Sequence, residues 1–241
     1  MLIADMAEVL GVSAETVRRD IRPLTDDGTL LRMHGAVGLR SSLGEAPFQR
    51  RMRENASAKR AIARTLARTI RDGDSVMFDT GTTTSYIAHE LIAHQRLTIV
   101  TNSSDIARTL ATVNGNRVYM AGGELRSDSG AAFGASAIDF VARFSVTHAV
   151  ISTGAVDAAD GIMDYDFEEA EFARTVLSRG NRRVVVTDRS KFGRRGLVTV
   201  CGFDGIDELI TDGEPPRDLA EALQACGTQL ILAGDARQAA E

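Results

Sequence analysis

The sequence predicts an α/β protein in which a winged helix-turn-helix stands in front of a larger domain built on a mainly parallel sheet. From residue 57 onward, short apolar runs alternate with segments of helical period, the pattern of βαβ crossovers on a sheet covered on both faces. Before residue 40, two helix-length segments separated by a glycine break lead into a stretch that reads as a hairpin. Aromatic residues make up only 5% of the chain and tryptophan is absent, so the core must rest on Ala, Val, Ile and Leu. Such a core suits helices packed on a buried parallel sheet. The expected organisation is a helix-turn-helix over 1–40, a polar and irregular linker over 41–56, a large domain over 57–233 and a tail over 234–241.

In the front module, Ile3, Met6, Ala7 and Leu10 recur at helical spacing and Gly11-Val12 breaks the run. Ser13 is a good N-cap, and Glu15 follows in the first turn, where the helix dipole favours negative charge. The second helix, from Ala14, places Val17, Ile21 and Leu24 on one face. That leaves Ser13, Thr16, Arg18, Arg19 and Arg22 to meet a major groove and its flanking phosphates. Arginine suits both tasks, because its fork pairs bidentately with guanine edges or phosphate oxygens. Pro23 falls inside this helix, where a missing N–H and a ring clash cost about 3 kcal/mol or force a kink. Gly28 ends it; Leu30, Leu31 and Arg32 read as a short strand with His34-Gly35 at the hairpin tip. Arg32 and His34 are thereby placed to reach the adjacent backbone or minor groove.

Charge limits how nucleic acid can be held. The formal net charge is −5 and the isoelectric point is near 5.5, so contact with double-stranded DNA must come from a local basic cluster. Cys201 and Cys226 lie far apart without metal-ligand spacing and read as two buried thiols in a reducing cytosol. His89, His94 and His148 lack metal spacing too, and no cofactor is expected. No apolar run approaches a membrane span and no signal peptide opens the chain, so the expected location is cytoplasmic, away from membranes. Lys59 and Lys191 are the only lysines beside 26 arginines. That makes Lys191 notable, as a compact ammonium kept where arginine is otherwise used.

In the larger domain, Lys59 to Ile70 reads as an amphipathic helix with Ile62, Leu66 and Ile70 four apart. Strands are expected at 76–78, 97–100, 118–120, 149–151, 184–186, 208–210 and 230–232, with helices at 83–93, 104–112, 166–178 and 216–225. Several strands end in small polar residues. Asp79-Thr80-Gly81-Thr82-Thr83-Thr84 follows one strand and opens a helix, offering a tight turn, hydroxyls, N–H groups and a positive helix end to a phosphate. It is not a Walker loop, since no lysine follows and no second glycine stands at the required spacing. Thr101-Asn102-Ser103, Gly122-Gly123 and Gly154 end three further strands. Together these ends predict a crevice at the carboxyl edge of the sheet. Lys191 is placed to neutralise a phosphate there, and Glu169 to accept hydrogen bonds from ligand hydroxyls.

Val12-Ser13 through Arg18-Arg19-Asp20, followed by Leu30-Leu31-Arg32-Met33-His34-Gly35, resembles the N-terminal module of the DeoR family of bacterial transcription regulators. The segment from about Arg50 to Asp212 resembles that family's effector domain. The shared signatures are Asp79 with Gly81-Thr82-Thr83, Thr101-Asn102-Ser103, Gly122-Gly123-Glu124-Leu125-Arg126, Gly134, Glu169, and Asp188 with Ser190-Lys191-Phe192-Gly193. The resemblance implies a fold similar to ribose-5-phosphate isomerase that senses a sugar phosphate or related metabolite. It also implies a repressor of a carbon-metabolism operon, relieved by that phosphorylated small molecule. Asp164-Tyr165-Asp166-Phe167 and Ser190-Lys191-Phe192-Gly193-Arg194 are most similar to the branch controlling glycerol metabolism, implying glycerol 3-phosphate as the effector.

The sequence departs from the family in several places. The family carries a further helix before the position of Met1, and a start codon assigned too late is the expected explanation. Gly35-Ala36 replaces a glycine pair, Ala173 stands where lysine is usual, and Ala155-Val156-Asp157 replaces a glycine-rich turn. A homodimer or homotetramer is expected, because one helix-turn-helix alone is usually too weak a reader.

Two other readings of the sequence remain. A sugar-phosphate isomerase would need a carboxylate base and groups that stabilise an enediolate, which Asp79, Glu169 and Lys191 supply in principle. An enzyme, however, has no use for a helix-turn-helix bearing arginines, so no enzymatic activity is expected. A metabolite-binding protein without DNA function follows if the short N-terminus is genuine.

Overall fold

The computed structural model describes residues 3–26, 30–33, 36–39 and 45–234. Helices α1 (Ile3–Leu10) and α2 (Ala14–Asp26) pack through Ile3, Ala7, Val17 and Ile21, all buried, as their spacing predicts. The turn between them closes a Schellman motif: Val12 N–H donates to the Ala7 carbonyl at 3.0 Å and Gly11 N–H to the Glu8 carbonyl at 3.2 Å. Gly11 carries the required left-handed conformation, with φ +64°. Leu10 and Leu24 do not join this core; they remain 61% and 41% exposed. α2 runs through Pro23 without ending there, and the Thr25 hydroxyl donates to the Arg22 carbonyl at 2.9 Å near its C-terminus. Strands β1 (Leu30–Met33) and β2 (Ala36–Leu39) pair antiparallel as the wing hairpin, with Arg32 opposite Val37. His34 and Gly28 lie outside the described residues.

Helices α3 (Phe48–Arg53) and α4 (Ala56–Ala67) come next. α3 forms where an irregular linker is expected, because Phe48 is buried and its N–H donates to Asp128 at 3.1 Å. The chain then alternates through β3 (Ser75–Phe78), α5 (Thr82–Glu90), β4 (Thr98–Thr101), α6 (Ser104–Leu110), β5 (Arg117–Met120), α7 (Ala135–Val141) and β6 (Val146–Ser152). It continues through β7 (Ala155–Asp157), β8 (Gly161–Asp164), α8 (Phe167–Leu177), β9 (Gly180–Val186), β10 (Val198–Cys201), β11 (Glu208–Thr211), α9 (Arg217–Ala225) and β12 (Gln229–Leu232).

All the expected strands are present. They form one seven-stranded sheet in the order β12-β11-β9-β6-β3-β4-β5, with every neighbour parallel. Alternate residues bury on opposite faces. Val76, Phe78, Ile99, Val150 and Val184 pack with α4, α5 and α6, whereas Met77, Val100, Ile151 and Val185 pack with α7, α8 and α9. Near-continuous apolar strands are what a sheet covered on both sides requires.

A second, three-stranded antiparallel sheet in the order β10-β8-β7 is not expected from the sequence. Its strands are three or four residues long, too short to show a period. Ala155-Val156-Asp157, the residues that replace a glycine-rich turn, form strand β7. Only part of the cysteine expectation survives: Cys226 ends α9 and is exposed, while Cys201 is half-buried. Among the described residues no helix is long and apolar enough to cross a membrane.

The strand order reverses at β3. The chain passes outward from β3 to β4 and β5, then returns to place β6 on the other side of β3. The crevice beyond the carboxyl ends of β3 and β6 is thus a topological switch point, the usual ligand position in open α/β sheets. Gly81 makes the crevice possible by letting the β3–α5 turn approach β6. A methyl group there would overlap the Ser152 hydroxyl and stand 2.9 Å from its Cβ. Gly81→Ala should lower unfolding stability by about 1–3 kcal/mol, measured by urea denaturation, as overpacking in a closed site does.

Candidate functional site

A cavity of about 390 Å³ lies at that switch point. Its floor is built from three strand ends: Thr80, Thr82 and Thr83 after β3, Ser152 at the end of β6 with Thr153 and Gly154 after it, and Thr187 and Asp188 after β9. Thr82 and Thr83 open α5, so their backbone N–H groups are among those a helix start leaves without intrahelical partners. The Thr80 hydroxyl oxygen is buried and has no partner among the described residues. A wall comes from the α3–α4 corner, through Arg51, Asn55 and Lys59, preceded by Glu45. Lys191 and Arg194 enter from the loop after β9, Asp164 from the end of β8, and Glu169 from α8.

Each of these groups is held in place. Asp188 caps the short 3₁₀ turn Arg189–Lys191 by accepting from Ser190 N–H at 3.0 Å. It also accepts from Asn55 Nδ2 at 3.0 Å, which locks the α3–α4 corner to the Lys191 loop. Lys59 is 4% exposed and its ammonium donates to the Arg51 carbonyl. Burial lowers its pKa to about 8, against the opposing charge of Asp188. Asp166 caps α8, accepting from Glu168 and Glu169 N–H at 3.0 Å each. The Glu169 carboxylate in turn accepts from Arg126 Nη1 at 3.1 Å. Burial, then the charge of Asp164, still pushes the Glu169 pKa up to about 8. Burial, then the charge of Glu45, raises Asp164 to about 6. The site therefore combines cations and hydroxyls at one set of atoms with a carboxyl group, Glu169, that retains its proton near neutrality. That combination suits a ligand carrying both an anionic group and hydroxyls.

The residues expected to share one crevice divide. Thr82, Thr83, Gly154, Glu169 and Lys191 line the cavity. Asp79, Gly81 and Thr84 lie beneath it as its frame. The Asp79 carboxylate accepts from Ser152 N–H at 3.0 Å, and burial pushes its pKa well up. The Thr84 hydroxyl donates to the Gly81 carbonyl at 3.0 Å. Thr101, Asn102 and Ser103 are fully buried at the end of β4 and do not line the cavity. The cause is a cover of chain: Ala132 N–H donates to the Asn102 carbonyl and Asn102 Nδ2 to the Ala132 carbonyl, at 3.0 and 2.9 Å. Ser103 caps α6. Gly122 and Gly123 are exposed at the end of the edge strand β5, two strands from β3, and do not line it either.

Arg51, Asn55 and Lys59 escape sequence reasoning because they fall in or next to the expected linker. One signal was present. Both lysines of this arginine-rich chain line the cavity, so the residue count that singles out Lys191 singles out Lys59 equally.

The front module offers a second surface. Ser13, Thr16, Arg18, Arg19 and Arg22 line one shallow groove along exposed α2. Ser13 accepts from Thr16 N–H at 3.1 Å, the expected N-cap. Arg18 pairs with Glu15 at 3.1 Å and Arg19 with Asp20 at 3.2 Å, both exposed pairs that exchange readily for other anions. Arg32 lies in β1.

Residues 1–42 match the DeoR-like helix-turn-helix domain and residues 54–213 the DeoR C terminal sensor domain. The chain belongs to the DeoR family. Among DeoR-family relatives, the Glycerol-3-phosphate regulon repressor of Escherichia coli K12 is 32% identical over 95% of this chain and 90% of its own length. The HTH-type transcriptional repressor CsqR of the same organism is 34% identical over 96% and 89%. Among solved structures, ribose 5-phosphate isomerase A from Methanocaldococcus jannaschii aligns over 57% of this chain and 55% of its own, with TM-score 0.43 and 16% identity.

The raised carboxyl of Glu169 has a consequence for stability. Its pKa moves from 4.5 to about 8 in the folded chain, so the folded state keeps a proton that the unfolded chain has already lost. The stability contributed is complete below pH 4.5 and is lost as pH rises to about 8. Glu169→Gln, which cannot ionise, should gain stability relative to wild type between pH 5 and pH 8. Urea titrations at the two pH values measure the difference.

Proposed function

We propose that this DeoR-family chain is a DNA-binding transcriptional repressor of a carbon-metabolism operon, relieved by a small phosphorylated metabolite that fits glycerol 3-phosphate. One observation carries the effector half of the reading: both lysines meet hydroxyls and a helix N-terminus in one cavity at the switch point. A phosphate there would be gripped by Lys59, Lys191, Arg51 and the Thr80–Thr83 turn, while Glu169 and Asp164 take the hydroxyl end. The cavity volume suits a small metabolite. A relative named Glycerol-3-phosphate regulon repressor supports the choice of ligand. The groove along α2 supports the DNA half, with Arg18, Arg19 and Arg22 meeting bases and phosphates and Arg32 and His34 the flanking groove. A homodimer or homotetramer would set two such helices on successive major-groove faces. The expected domain limits stand with this reading: a DNA-binding unit over 1–40 and an effector-sensing unit over 57–233.

A second reading, a phosphosugar isomerase, draws on one feature, the Glu169 carboxyl with its pKa near neutrality. Turnover of ribose 5-phosphate or fructose 6-phosphate well above background would favour it over the repressor.

The effector half is tested by calorimetry with glycerol 3-phosphate, fructose 6-phosphate and ribose 5-phosphate. Selective binding of the first is expected, and Lys191→Ala should weaken it roughly ten-fold or more, the loss of a charged hydrogen bond. Affinity should fall as pH rises through 8, because Lys59 loses its proton and Glu169 gains a charge in that range. Indifference to all three compounds would sink the effector reading. For the DNA half, Arg19→Ala should cost about 1–3 kcal/mol of operator affinity in a gel-shift titration. Unchanged affinity would remove that residue from the interface.

A further inference from the structure

Glu45 pairs with both Arg51 and Lys191, and its side chain is only 14% exposed. It is thus a carboxylate seated on two cations of the cavity, in the position an incoming anionic group would take. It stands six residues beyond Leu39, the end of the wing strand β2, so it belongs to the stretch of chain joining the two domains.

The charges of the lining make this seat consequential. Arg51, Lys59, Lys191 and Arg194 face Glu45, Glu54, Asp164, Glu169 and Asp188, and with Glu169 keeping its proton near neutrality the lining carries four charges of each sign. A phosphate dianion gains little from such a site unless a carboxylate withdraws. Three of the five are built into the frame. Asp188 caps the Lys191 turn and Glu169 is held on α8 by Arg126. Asp164 ends β8 and accepts from Tyr165 N–H at 2.7 Å. Glu54 is 46% exposed and pairs at 2.7 Å with Arg50, which does not line the cavity. Among the described residues Glu45 alone of the five pairs with two cations of the lining, and it lies on residues 45–47, which form neither helix nor strand. That short segment is tied down by Arg51, whose Nε also donates to the Ala46 carbonyl at 2.9 Å.

Resting on the anion-site reading above, we infer that Glu45 is a built-in competitor of the effector. Its carboxylate clamps the interdomain segment onto Arg51 and Lys191, and an anionic ligand displaces it. Binding in the cavity is thereby converted into release of the chain leading to the wing. By linkage, whatever the ligand loses in expelling Glu45 is what it can impose on the DNA-binding end.

The test uses the full chain with glycerol 3-phosphate as the probe. Glu45→Gln keeps the shape of the side chain and removes its charge. It should bind glycerol 3-phosphate about five-fold or more tighter than wild type, the lower range of allosteric couplings. Its operator affinity should respond less to the ligand than that of wild type. Amide hydrogen exchange on the wild type supplies a readout that needs no variant: residues 45–51 should exchange faster when ligand is added. Weaker or equal ligand binding by Glu45→Gln, or greater protection of 45–51, would overturn the inference, since Glu45 would then hold the ligand or stand apart from it. If wild type binds no phosphate compound at all, the anion-site reading itself fails. Binding by wild type without a Glu45 effect leaves that reading intact and rejects only the competitor.

Discussion

The reversal of strand order between β3 and β6 governs where polar groups can gather in this molecule. On either side of that point the chain travels outward, and only there do two adjacent strand ends diverge enough to leave a crevice. Thr80–Thr83, Ser152–Gly154 and Asp188 meet because β3, β6 and β9 are neighbours in that sheet. Close approach depends on Gly81, which has no side chain to collide with Ser152, and on Asp79, whose carboxylate bridges to Ser152 N–H. The crevice is thus a property of the sheet before it is a property of any functional side chain.

The charged groups around it follow from burial. A carboxyl or ammonium taken from water shifts toward its neutral form unless a partner offsets the loss. Lys59 shows this most clearly. It is enclosed by the α3–α4 corner and held by a backbone carbonyl, yet keeps a pKa of about 8 in the company of Asp188. A compact ammonium can occupy such a corner, where the broad, five-donor guanidinium would leave donors unsatisfied. That gives a physical reason for lysine in a chain that otherwise uses arginine. Glu169 and Asp164 respond in the opposite sense, holding protons to higher pH, so the carboxyl side of the cavity repels an anion less than its formal charges suggest.

The wall contributed by residues 45–59 is knitted into the larger domain by contacts distant in sequence. Asn55 ties the α3–α4 corner to Asp188 and Ser190, and Arg51 reaches back to Ala46 and Glu45. Residues 45–47 therefore belong with the cavity wall. Cations also gather at the other end of the chain, where Arg18, Arg19 and Arg22 line the groove along α2.

Local pattern was sufficient for most of the architecture. The seven parallel strands, α5, α6, α8, α9 and the Schellman turn at Gly11 all follow from apolar period, caps and glycine placement, because these act over a few residues. The three-stranded sheet did not show, since strands three or four residues long carry no readable period. For the site, residue type identified Thr82, Thr83, Gly154, Glu169 and Lys191, but four strand ends looked equivalent in one dimension. Strand order separated them. It left Gly122 and Gly123 at the sheet edge, while the Ala132 chain covers Asn102 and long-range contacts bring Asn55 and Glu45 from an apparent linker, and Lys59 from the helix after it, into the wall. Which loops share a cavity depends on contacts between residues more than a hundred positions apart, such as Asn55 to Asp188, and no short-range pattern records those.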